Sequence, residues 1–134
     1  MGEKRKSHAA PRPTDAELAI LRVLWSRGPS TVRDVHQALS SSQESGYTTV
    51  LKLLQIMTEK GIVLRDESQR AHIYAARLSQ QRTQRQLLGH LVDRAFGGSS
   101  AKLVLHALSD RPTSNEELRD IRALLDRIEK GESQ

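Results

Sequence analysis

Cysteine is absent from this 134-residue chain. That excludes a disulfide scaffold, thiol catalysis and cysteine-ligated metal centres, and it suits a reducing compartment. Aromatic residues are scarce: one Trp, one Phe and two Tyr supply 3% of the chain, against 37% hydrophobic residues overall. A core must be built from Leu, Ile, Val and Ala, which fits packed helices better than a β-sandwich. No run of about 18 apolar residues occurs, so no membrane-spanning helix is expected. The start M-G-E-K-R-K-S-H-A-A-P-R-P has no apolar centre of a signal peptide, and Lys6 stands where N-myristoylation requires Ser or Thr. A cytoplasmic protein without membrane insertion is expected. Gly-rich phosphate loops, nucleophile elbows and metalloprotease motifs are also missing, so the chain is not read as an enzyme. His8, His36, His72, His90 and His106 lack the close His/Asp/Glu spacing of a zinc site, and neither a metal nor another cofactor is expected.

What is present is a modest positive balance, +5 at pH 7, spread along the chain rather than gathered in one block. It is compatible with a polyanionic partner. Residues 1–13 are polar, charged and interrupted by proline, and read as a disordered basic arm. T-D-A-E (Thr14 to Glu17) is a capping-box sequence. Leu18, Leu21, Leu24 and Trp25 follow at helical spacing until Gly28 and Pro29 end the run. A second capping box, Thr31 to Asp34, opens a shorter helix with Val32, Val35 and Leu39 inward, and a small polar loop runs from Ser40 to Gly46.

The next stretch, Y-T-T-V-L-K-L-L-Q-I-M-T-E-K-G, predicts a helix from Tyr47 that stops at Gly61. At about 100° per residue, Val50, Leu53, Leu54 and Met57 share one stripe, flanked by Leu51 and Ile56. Thr48, Lys52, Gln55 and Glu59 lie opposite, with Thr49 beside them. A solvated face would favour Glu/Lys pairs and avoid threonine, so this face has the chemistry of a reading surface. The plainer alternative is that Thr48 or Thr49 caps the helix and the rest is ordinary surface. After Gly61 the period becomes extended: I-V-L-R-D, E-S-Q-R and A-H-I-Y-A read as a β-hairpin with a polar tip. Three helices followed by a two-stranded ribbon is the winged variant of the helix-turn-helix, whose last helix enters the major groove.

From Leu78 the helical period returns. One helix carries Leu87, Leu88, Leu91, Val92, Ala95 and Phe96 and closes at Gly97-Gly98. A second spans S-S-A-K-L-V-L-H-A-L, and a third opens with the capping box S-N-E-E at Ser114. The third sets Leu118, Ile121, Leu125 and Ile128 at heptad-like spacing. Three such helices bury little by themselves, so docking against a second copy is expected; a helical cap folded onto its own winged domain is the alternative. The fold class is therefore mainly α: an arm (1–13), a winged helix-turn-helix DNA-binding domain (14–77) and a three-helix dimerisation domain (78–131).

The runs D-A-E-L-A-I-L-R-V-L-W, T-V-R-D-V, T-T-V-L-K-L-L-Q-I-M-T-E-K-G and R-A-H-I-Y together resemble the penicillinase-repressor (BlaI/MecI-type) family of bacterial transcriptional regulators. The resemblance extends from about Thr14 to Ile128. It implies a winged-helix repressor that dimerises through its C-terminal domain on a near-palindromic operator. It also implies release when a membrane-bound sensor metalloprotease signals and the repressor is cut in its dimerisation domain. Copper sensing, which one branch performs through C-terminal cysteines, is not expected here. Relatives that respond to antibiotics resemble this chain around A-K-L-V-L-H-A-L-S-D but carry an Asn-Phe cleavage pair where this chain has His106-Ala107.

For base reading the residues singled out are Thr48, Thr49 and Lys52 at the start of the reading helix, with Gln55 one turn deeper. Phosphate contacts are assigned to Thr31 and Arg33 at the start of the second helix and to Arg65, Arg70 and His72 on the hairpin. Tyr47 either stacks on a sugar or covers the core. Dimerisation is assigned to Leu87, Leu88, Leu91, Phe96, Leu103, Leu118, Ile121, Leu125 and Ile128, and cleavage to the region of His106 and Ala107. Two other functions compete with the DNA-binding repressor: a winged-helix protein-interaction adaptor that does not touch nucleic acid, and a repressor gated by a small molecule.

Overall fold

The computed structural model describes residues 12–40 and 46–131, so the expected arm up to residue 11 and most of the Ser40 to Gly46 loop lie outside the described residues. Helix α1 (Asp15–Arg27) opens with the expected reciprocal box. The Thr14 amide donates to Glu17 Oε1 at 2.9 Å, and the Glu17 amide donates to Thr14 Oγ1 at 3.2 Å. It stops at Gly28, whose φ of 91° disfavours any residue with a Cβ. Helix α2 (Val32–Ser40) repeats the device, with Thr31 and Asp34 each donating a backbone N–H to the other's side chain at 3.1 Å. Helix α3 (Tyr47–Lys60) ends on Gly61 in the left-handed region, where the Ile62 amide donates to the Met57 carbonyl at 2.9 Å.

Strands β1 (Val63–Asp66) and β2 (Ile73–Ala76) pair antiparallel, with Val63 opposite Ala76 and Arg65 opposite Tyr74. At the tip the Ser68 amide donates to Asp66 Oδ1 at 2.9 Å, the local turn that a hairpin without Asn-Gly requires. One element was not legible in the sequence. Ser30, between α1 and α2, bridges to Tyr74, giving N–H to O bonds of 2.9 and 2.7 Å. A single residue has no periodicity to detect, yet it clamps the hairpin onto the α1–α2 connection.

Each element gives one apolar side to a common core: Ile20, Leu21 and Leu24 from α1; Val32, Val35 and Leu39 from α2; Val50, Leu54 and Met57 from α3; and Ile62, Val63 and Tyr74 from the hairpin. Leu51 and Leu53 pack against that cluster half-buried. Glu17 is buried as well, and its carboxylate accepts from Lys60 Nζ at 2.8 and 3.1 Å. The first turn of α1 is thus tied to the last turn of α3. Burial by itself would raise the Glu17 carboxyl, but the hydrogen bonds from Lys60 and Thr14 outweigh it and hold the group below the usual glutamate range.

The chain divides into two compact units, Met1–Leu88 and Gly89–Gln134, and the division falls inside helix α4 (Gln80–Ala95). In the second unit α4 ends at Gly97 and Gly98, both with positive φ, and the Gly98 amide donates to the Val92 carbonyl at 2.9 Å. Ser99 caps α5 (Ser100–Asp110), and Ser114 with Glu117 forms the predicted capping box of α6 (Asn115–Glu129). Phe96 lies against the His106 ring at 5.6 Å between centroids. Neither α5 nor α6 has a buried residue.

Candidate nucleic-acid interface

Helix α3 presents Thr48, Thr49, Lys52, Gln55 and Glu59 to solvent on one side while Val50, Leu54 and Met57 are fully buried on the other. The N-cap is Gly46, with no side-chain hydrogen bond to the helix start. Thr48 and Thr49 therefore do not cap the helix. Their hydroxyls stand on the exposed first turn. The Thr58 hydroxyl, by contrast, donates to the Leu54 carbonyl at 2.8 Å and is absorbed by the helix itself.

The Ser30–Tyr74 bridge draws the hairpin toward the starts of α2 and α3, and a groove of about 540 Å³ opens where the three meet. Its walls include Thr31, just before α2, and Arg33 in its first turn, Tyr47 and Leu51 from α3, and Arg70 and His72 from the hairpin. Five residues singled out from the sequence, Thr31, Arg33, Tyr47, Arg70 and His72, thus converge from three elements. Thr48, Thr49, Lys52 and Gln55 lie outside this groove on the free face of α3. Arg65 does not join it either: Arg65 Nε pairs with Glu67 Oε2 at 2.7 Å, and the Tyr74 hydroxyl raises the guanidinium above its ordinary range.

At the α2 start the Thr31 hydroxyl is occupied by its reciprocal bond with Asp34, and these hydrogen bonds from Thr31 hold the Asp34 carboxyl below the usual range, assisted by Arg27 at 3.7 Å. The side chain at that end best placed to meet an anion is then exposed Arg33. Tyr47 is 49% exposed and meets the edge of His36 at 6.0 Å between centroids. His36 drew attention in the sequence only as a possible metal ligand, because its contact with Tyr47 spans the loop between two helices. Leu51 and Val32, which give the groove its apolar floor, had been read only as core positions. Among the described residues no group of three or more His, Asp or Glu side chains is placed to hold a metal ion.

The C-terminal candidates divide in two. Leu88, Leu91, Leu125 and Ile128 are each about half exposed, at 50, 47, 51 and 49%. Leu87, Phe96, Leu103, Leu118 and Ile121 are half-buried. The helical pattern missed the most exposed of all, Leu105 at 66%, together with Val104, Leu108 and Leu124. His106 and Ala107 are exposed on α5. No helix among the described residues is long and apolar enough to cross a membrane.

The solution structure of monomeric Bacillus licheniformis BlaI in complex with the blaP half-operator is similar with a TM-score of 0.48 and 22% identity, covering 55% of this chain and 89% of that one. The transcriptional regulator BlaI of Mycobacterium tuberculosis is 48% identical over 62 residues, which are 46% of this chain and 45% of the relative. The match thus spans less than half the length of that relative. The penicillinase repressor of Staphylococcus aureus is 19% identical over 115 residues, 86% of this chain and 91% of that protein. The family profile described as penicillinase repressor matches residues 13–127, nearly the whole chain, and the chain belongs to that family.

Proposed function

We propose that this chain is a homodimeric transcriptional repressor that binds a near-palindromic duplex DNA operator. Residues 14–77 read DNA and residues 78–131 dimerise. The observation that carries this reading is the meeting of Arg33, Tyr47, Arg70 and His72 in one groove beside the exposed, uncapped start of α3. A phosphate lying in that groove would place the first turn of α3 at the base edges, with Thr48, Thr49 and Lys52 leading and Gln55 behind. A threonine methyl can pack on a thymine methyl, and Lys52 can donate to guanine O6 or N7. Arg65 contributes from the flank by exchanging Glu67 for a phosphate. The relatives' names, a transcriptional regulator and a penicillinase repressor, support regulation of transcription rather than catalysis.

The half-exposed leucines and isoleucines of α4 to α6 support a homodimer, since a twofold interface is the commonest way to cover such faces. Release from DNA follows from separating the two copies. The agent is a signal from a membrane-bound sensor metalloprotease acting near His106 and Ala107, a stretch whose side chains are exposed. No cofactor is required.

The test is binding to DNA selected by the purified protein from random sequence, followed across a salt series. Arg70→Ala should weaken all sequences alike and lower the salt slope by about one unit, as one lost phosphate contact requires. A slope that does not move takes Arg70 off the DNA, and a wild-type protein that selects no sequence returns the chain to the adaptor reading.

A further inference from the structure

The three residues that join the hairpin to α4 are each held. The Arg77 amide donates to the Ile62 carbonyl at 2.9 Å, at the α3–β1 junction. The Leu78 carbonyl accepts the indole N–H of Trp25 at 3.0 Å, a contact across 53 positions that uses the chain's single tryptophan. Ser79 then caps α4 directly, its hydroxyl accepting the Arg82 amide at 3.1 Å and its carbonyl the Thr83 amide at 3.1 Å. Thr83, one turn along, is 5% exposed and belongs with the first turns of α4 to the first compact unit. A connection of three residues is short enough to be stiff, but stiffness does not set direction. Here the Leu78 carbonyl is tied to α1, because Trp25 is a residue of that helix packed against the core.

We propose that Trp25, through its hydrogen bond to Leu78, is a positioning residue for operator architecture: it aims α4 as it leaves the reading unit and thereby selects the separation between half-sites. The proposal rests on the DNA-binding reading above. A dimer that reads two half-sites gains affinity only when both heads reach their sites together, so a fixed exit confines the gain to one spacing, whereas a swivelling exit spreads a weaker gain over many. Trp25 is in neither the groove nor the exposed face of α3, so it acts on spacing and not on base reading.

The experiment uses full-length protein and duplexes built from one half-site selected by the wild type, presented alone or as inverted pairs with the spacer varied one base pair at a time. Two variants release the exit differently. Trp25→Phe removes the N–H donor and keeps an aromatic ring in the core; a Gly-Ser insertion between Leu78 and Ser79 leaves Trp25 and its acceptor intact and frees the start of α4. The wild type should prefer its best spacing over a half-turn offset by roughly 10²-fold. Both variants should bind the single half-site as the wild type does, yet show a preference flattened to within a few-fold. Should Trp25→Phe also lose half-site binding, its core has been damaged and the insertion decides. Half-site affinity and a spacing profile both unchanged in Trp25→Phe, or both unchanged in the insertion variant, would overturn the proposal. A wild type with no preference for any DNA would instead remove the DNA-binding reading, and this proposal with it.

Discussion

The two units of this chain solve the same problem in opposite ways. In the first, twelve buried residues from three helices and a hairpin close on one another, and the polar face that remains is spent on a groove and a free helix side. In the second, α5 and α6 have no buried residue, and Val104, Leu105, Leu108, Leu124, Leu125 and Ile128 stand between about one third and two thirds exposed. The lesson is in what each surface is for: a closed core leaves chemistry outside, whereas an open apolar face waits for another apolar face.

If that contrast is right, charging the open face should have the largest consequence. Leu125→Lys, at a position 51% exposed, should leave the monomer folded but dissociate the proposed dimer, and affinity for a two-site operator should fall about 10²-fold to 10⁴-fold while half-site affinity holds. Sedimentation at micromolar concentration and binding to both duplexes check it; a variant still dimeric would place the interface elsewhere. The matching cut in the closed unit, Leu54→Ala, should cost about 2–5 kcal/mol because Leu54 is fully buried and the cavity cannot collapse. Urea unfolding should show that loss at every protein concentration. Leu105→Ala, at the most exposed leucine, should by comparison shift monomer stability by no more than about 0.5 kcal/mol.

Smaller effects sharpen the division within the first unit, between its core and its reading face. Lys52→Ala and Thr48→Ala should each cost about 1–3 kcal/mol in binding to the selected sequence, with little change in stability, since both side chains point away from the core. Equal losses on random DNA would convert them to backbone contacts.

The smallest effect concerns acid. Glu17 is held below its ordinary range in the folded state, so its pairing contributes stability that is complete above the unfolded carboxyl value of about 4.3 and is lost as the pH falls through the lower folded value. In Lys60→Met, burial of Glu17 is opposed only by the Thr14 bonds. The decline of stability between roughly pH 5 and pH 3 should therefore be shallower than in the wild type. Parallel urea titrations of the two proteins across that range measure it, and identical slopes would show that the pair is not what depresses Glu17.

Much of the fold was legible because its signals are local. The Thr14, Thr31 and Ser114 boxes operate over three residues, and Gly28, Gly61, Gly97 and Gly98 supply backbone conformations that other residues rarely adopt, so helix boundaries could be read one turn at a time. The free face of α3 was legible for the same reason, since 3.6-residue periodicity separates it from Val50, Leu54 and Met57. On the C-terminal helices periodicity served less well. It pointed to an apolar seam but passed over Leu105 and Leu124, because exposure is a property of what lies opposite and not of the helix that carries the residue.

What the sequence alone determined is thus the set of elements and the side of each that must be covered, because caps, turns and amphipathic stripes are decided by neighbours along the chain. Only the tertiary structure decided which elements meet. The Ser30 bridge to Tyr74, the Lys60 bond to Glu17 across 43 positions and the Trp25 bond to Leu78 across 53 join residues with no shared local pattern. Each exists because folding brings a donor and an acceptor from distant positions in the chain to the same place. The groove of Arg33, Tyr47, Arg70 and His72 is of that kind: four side chains chosen separately by their chemistry, and made one site by the packing of the hairpin against α2 and α3.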